Sequence, residues 1–165
     1  MAGPGDYIDT VQEQWRRIDP DISSAPAAVV GRIRRLAHLI QRQSDGVLAK
    51  CGISRDEFDI LALLTRTGRP MTPSELSGDL ITSAAGTTKR ISKLVDAGLV
   101  TRERNPRDGR GAFIQLTGAG RDLILPVLRS VSEYEASVIE FLSDQEREDM
   151  AKLLRSLLMR VEAGT

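Results

Sequence analysis

The chain has 165 residues, 41% of them apolar and 28% charged, with 23 basic side chains set against 23 acidic ones. These values suit one globular domain with extensions, and no apolar run approaches the roughly 20 residues that span a bilayer, so a cytoplasmic protein without membrane contact is expected. A single cysteine, Cys51, and a single histidine, His38, exclude an internal disulfide, a cysteine-based zinc site and most hydrolase constellations; no cofactor, metal or enzyme activity is expected.

Tyr7, Val11, Trp15 and Ile18 recur at helical spacing, and Pro20 ends that segment. The first nine residues lack the basic-then-apolar order of a signal peptide. Two prolines and small polar residues make 19–26 a linker. A long helix is expected over 27–50, with Val29, Ile33, Leu36, Ala37, Ile40, Val47 and Leu48 on its apolar side and Gly52 closing it. Ser54-Arg-Asp-Glu57 is a capping box opening a helix with Phe58, Ile60, Leu61 and Leu64, which stops near Gly68. Thr72-Pro-Ser-Glu75 is another, with proline at the first helical position and Leu76 and Leu80 turned inward.

The next helix is expected over 83–97, with Ala84, Thr88, Ile91, Leu94 and Val95 as its inner face. Two short strands follow, 99–104 and 112–116, around a turn rich in Pro, Asp and Gly. Residues 117–142 read as a helix that Pro126 should kink or start late. Ser143-Asp-Gln-Glu146 caps a final helix with Met150, Leu153, Leu154, Leu157, Leu158 and Val161 on one side. The order predicts a mainly α fold with a small β-hairpin: a winged helix-turn-helix flanked by N- and C-terminal dimerisation helices. It divides into 1–50 for dimerisation, 51–117 for DNA binding and 118–165 for dimerisation.

The charge distribution points to function where the net charge does not. From Lys89 to Arg121 there are eight basic residues against Asp96, Glu103 and Asp108. On the helix over 83–97, Thr82, Ser83, Gly86, Thr87, Lys89, Arg90 and Lys93 are the candidate DNA contacts. Hydroxyls and N-terminal N–H groups suit phosphates, and long cations reach phosphates or guanine edges. Arg104, Arg107 and Arg110 around the hairpin turn are candidates for backbone or minor-groove contact. Cys51 at a helix end could sense oxidants but reads better as a small hydrophobe, and His38 as a packing or surface residue.

Thr72-Pro-Ser-Glu-Leu, Ser83-Ala-Ala-Gly-Thr-Thr-Lys-Arg-Ile-Ser-Lys-Leu, Ala97-Gly-Leu-Val-Thr-Arg102, Asp108-Gly-Arg110 and Leu116-Thr-Gly118 together resemble the MarR family of transcriptional regulators. The resemblance implies a homodimer on a palindromic duplex operator, released by a small ligand, often aromatic and anionic. Gly109 departs from it, since the family more often has a second arginine there. Trp15, Pro20-Asp-Ile and the segment from Val29 to Leu36 resemble the urate-responsive subgroup, which has an added first helix. That resemblance implies a ligand site of Trp15, Asp59, Arg66 and Arg90, with an Asp59–Arg90 link holding the recognition helix until an anion such as urate or a phenolic acid breaks it. The other reading of the same pattern is a winged-helix module that binds protein and responds to no ligand.

Overall fold

The computed structural model describes residues 5–104 and 111–164. The chain divides into two compact units, Met1–Asp45 and Gly46–Thr165.

In the first unit, α1 (Tyr7–Ile18) is opened by Asp6, whose carboxylate accepts from the N–H groups of Ile8 and Asp9 while Asp9 accepts in return from the Asp6 N–H. A short 3-10 helix, Ala25–Ala28, precedes α2 (Val30–Lys50). The long helix expected from residue 27 therefore starts three residues later, because Pro26 sets a tight turn at its entrance. The side chain that α1 buries is Ile8, whereas Tyr7, Trp15 and Ile18 are exposed. Ile8 can approach because position 31 is glycine: a Cβ there would lie 3.3 Å from the Ile8 methyl. Arg32 of α2 binds Asp6 at 2.7 Å and Asp9 at 2.6 Å, and the Arg35 guanidinium lies 3.9 Å from the Tyr7 ring centroid.

The second unit carries the main core. Three helices, α3 (Arg55–Thr67), α4 (Pro73–Asp79) and α5 (Ala84–Asp96), precede β1 (Val100–Arg104) and β2 (Ala112–Leu116), and α6 (Gly118–Ile139) and α7 (Asp144–Glu162) follow. The capping boxes at Ser54, Thr72 and Ser143 all form. The strands pair antiparallel, with Arg102 opposite Ile114. Met71 joins the hairpin through an isolated bridge, its N–H donating to the Ile114 carbonyl at 3.0 Å and its carbonyl accepting at 2.8 Å. Ile60, Leu61, Leu76, Ile91, Leu94, Ile114 and Ile124 meet in one apolar cluster, to which α2 adds Leu48. This cluster locks α4 and α5 against α3, the hairpin and α6.

Pro126 neither delays nor ends α6, which runs from Gly118 through it. Pro126 and Asp122 are both exposed, so the carbonyl that loses its partner can be hydrated. At the start of α6, Thr117 donates to the Gly98 and Leu99 carbonyls at 2.8 and 3.0 Å and caps Gly120. A Cβ on Gly120 would lie 2.1 Å from the Leu99 carbonyl oxygen, so only glycine permits this approach.

Candidate nucleic-acid interface

The α4–α5 pair is built from its inner side outward. Leu76 of α4 and Thr87, Ile91 and Leu94 of α5 are buried, at a spacing of four and then three residues. Ser83 is the N-cap of α5 and accepts from the Gly86 N–H at 3.2 Å. What remains outward is Ser83, Ala84, Ala85, Thr88, Lys89, Ser92 and Lys93, with Asp96 exposed at the C-terminal end of α5.

This arrangement revises part of the sequence expectation. Thr87 does not reach the surface. Its hydroxyl is bonded to that of Thr82 at 2.8 Å and donates to the Ser83 carbonyl at 3.1 Å, which ties the turn to the helix. Ala84 and Thr88, expected inside, are exposed. Counting back from Ile91 by four rather than three would have found the inward threonine, but adjacent identical residues give no chemical cue. Ala84, Ala85, Thr88 and Ser92 are the outward positions that sequence reasoning missed.

The expected Asp59–Arg90 link is also replaced. Arg90 binds Asp56 at 2.9 Å, one turn nearer the start of α3, while Asp59 lies 4.0 Å from Arg55 on its own helix. Asp56 is in the first turn of α3 and Arg90 in the middle of α5, so this ion pair spans the two helices. It lines a cleft of about 270 Å³ with Ser54, Glu57, Gly86, Lys89 and Lys93. Hydrogen bonds from the Ser54 hydroxyl and backbone N–H hold Glu57 below the usual carboxylate value, and the charge of Lys93 lowers it further. The cleft therefore sets an anionic α3 start against a cationic α5 face. Arg66 is exposed in the last turn of α3. Trp15 belongs to the first unit, half-exposed on α1. Arg104 is the last residue of β1; Arg107 and Arg110 lie outside the described residues.

Two helices at a tight turn, backed by a third and followed by an antiparallel hairpin, define a winged helix-turn-helix protein. A sequence profile described as the MarR family matches residues 52–111. The chain is 36% identical to the HTH-type transcriptional regulator PecS of Dickeya dadantii over 94% of its own length and 92% of that protein's. Among solved structures, a MarR family protein from Bacillus stearothermophilus is similar, with a TM-score of 0.73 and 24% identity over 86% of this chain and 99% of that one. A mutant MarR from E. coli, complexed with operator DNA, has a TM-score of 0.66 and 24% identity over 87% of this chain and 97% of that one. The chain belongs to the MarR family of transcriptional regulators. It is a DNA-binding regulator and not an enzyme. No helix among the described residues is long and apolar enough to cross a membrane.

Proposed function

We propose that this chain is a homodimeric repressor that lays α5 in the major groove of a palindromic operator and is released by a small anionic aromatic ligand. The observation that carries the DNA reading is the outward face of α5. Its inner side is fixed in the core, and Ser83, Thr88, Lys89, Ser92 and Lys93 are left together on the exposed one. Small hydroxyl residues at the helix start can approach phosphates closely, and the two lysines extend beyond them. Ser83, Gly86 and Thr82 contribute at the N-terminal end, and Arg104, Arg107 and Arg110 would serve from the wing. The E. coli MarR mutant of similar fold is complexed with operator DNA, which supports a DNA-binding reading.

The ligand reading rests on Arg90. Its bridge to Asp56 ties α5 to α3, and an anion able to take over that guanidinium would cut the tie and shift α5 from the spacing that fits DNA. Urate and phenolic acids have this chemistry: a planar ring, which an indole such as Trp15 can stack, and a charge, which arginines such as Arg66 and Arg90 can hold. In this reading Asp56, with Asp59 beside it, is the carboxylate side that the ligand opposes.

The DNA test is a salt titration of operator binding. Lys89→Ala and Lys93→Ala should each weaken binding and flatten the log–log salt slope by about 0.9. Wild-type affinity and slope in both variants would refute the groove assignment. For the ligand, urate and simple phenolic acids are titrated onto the protein–operator complex. Release of DNA together with a change in the emission of Trp15, the chain's one tryptophan, is expected. No release by any of them would refute the ligand class.

A further inference from the structure

We propose that Ile81 is a base-reading residue that takes a thymine 5-methyl group in the major groove beside α5; this rests on the DNA-binding reading of α5. The backbone around Ile81 closes α4 as a Schellman cap. The Ile81 N–H donates to the Gly78 carbonyl at 3.1 Å and the Thr82 N–H to the Ser77 carbonyl at 3.0 Å. Such a cap requires a left-handed residue at its centre, and Ile81 has φ 51°. Glycine is the usual occupant, because a side chain there crowds the following carbonyl, and a β-branched one crowds it most. The other left-handed residues described are all glycine: Gly52, Gly68 and Gly98. Isoleucine at this position gains nothing from the backbone.

It gains nothing from the core either, since the residue is 94% exposed. Exposed large apolar side chains elsewhere lie mostly on α1, α2 and α7, with Ile22, Val29, Leu125, Ile139 and Phe141 outside those helices. Between Gly46 and Asp122, Ile81 is the one exposed large apolar side chain among the described residues. It immediately precedes Thr82 and Ser83, at the end of α5 that the groove would receive first. In the major groove the thymine methyl is the group that an apolar side chain can recognise. A strained, solvated isoleucine at this turn fits that partner, and the loss of water from both groups on contact offsets its cost in the free protein.

The test starts from duplexes enriched by the wild-type full chain from a random pool. Each thymine of the enriched sequence is then replaced in turn by uracil, which lacks only the methyl group. At one position per half-site the replacement should weaken wild-type binding about fivefold and leave Ile81→Gly unaffected. Ile81→Gly should also raise the melting temperature of the free protein by about 2–4 °C, because glycine relieves the left-handed strain. Ile81→Asn, which tolerates this conformation, should show the same insensitivity to uracil. If enriched duplexes are obtained but no uracil replacement separates wild type from both variants, the base-reading role is overturned. A lower melting temperature in Ile81→Gly would make Ile81 a packing residue and overturn it as well. Failure to enrich any duplex would overturn the DNA reading itself, and this proposal with it.

Discussion

Thr87 and Thr88 are neighbours of one residue type on one helix, and their environments are opposite. The Thr87 side chain is fully buried and its hydroxyl is satisfied by Thr82 and the Ser83 carbonyl; Thr88 is exposed and bonds the Ala84 carbonyl at 2.9 Å. Thr87→Val keeps the shape and removes the bond, so it should cost about 1 kcal/mol of stability. Since the hydroxyl does not reach the surface, the salt slope of operator binding should not change. Denaturant unfolding and the salt titration read the two effects separately. A flatter slope in Thr87→Val would mean that the side chain turns outward on DNA. The Arg90–Asp56 bridge is partly exposed, so its weight in stability is small. Its consequence is positional, because it joins the helix that would read DNA to the one behind it.

The helices of this chain are defined strongly at their starts. Boxes of Asp6 with Asp9, Ser54 with Glu57, Thr72 with Glu75 and Ser143 with Glu146 satisfy backbone donors at four N-termini. In the boxes at Ser54, Thr72 and Ser143 these bonds lower the glutamates. Bonds from the Ser54 and Ser143 hydroxyls act first on Glu57 and Glu146, and the Thr72 backbone N–H acts first on Glu75. A depressed folded-state value means that the contribution is fully present above the ordinary glutamate value of 4.5 and is lost as pH falls through the lower folded values. Stability should thus fall steadily below about pH 4.5. In Glu57→Gln/Glu75→Gln the part of the decline due to those two groups should disappear. Denaturant unfolding at a series of pH values checks this, and an unchanged decline in the double variant would show that other groups carry it.

At the scale of the whole molecule, α7 has no buried residue, and Met150, Leu153, Leu154, Leu157, Leu158, Met159 and Val161 are all exposed on it. α2 leaves Val30, Ile33, Leu36 and Leu39 exposed as well. A lone protomer would present more apolar surface than soluble monomers keep, and a twofold partner is the simplest way to cover it. Leu154→Asp/Leu157→Asp should convert a dimer into a monomer in sedimentation velocity at micromolar concentration. Operator affinity should fall with it, because on the proposed palindromic operator one protomer would hold only one half-site. A wild-type chain that sediments as a monomer would refute the dimer.

The helix starts at Ser54, Thr72 and Ser143 were legible from the sequence because a capping box is a local event: four residues supply both donors and both acceptors, whatever packs around them. The two strands of the hairpin were legible for the same reason, through their local residue pattern. The family was legible because its motifs lie along the helix-turn-helix and wing. Facing and pairing were not local. Which threonine turns inward on α5 depends on where Ile91 and Leu94 meet the core, and one residue of rotation exchanges Thr87 with Thr88. The partner of Arg90 depends on how α3 lies beside α5, and Asp56 and Asp59 lie on neighbouring turns where sequence alone cannot choose. The strand role of Met71 needs Ile114, 43 residues further along the chain, and the tolerance of α6 for Pro126 needs an exposed side. In each case the sequence by itself determined which groups were present and, where a capping box stood, where the element began, and only the tertiary structure decided which groups met, because contacts between elements depend on their relative rotation and position in space.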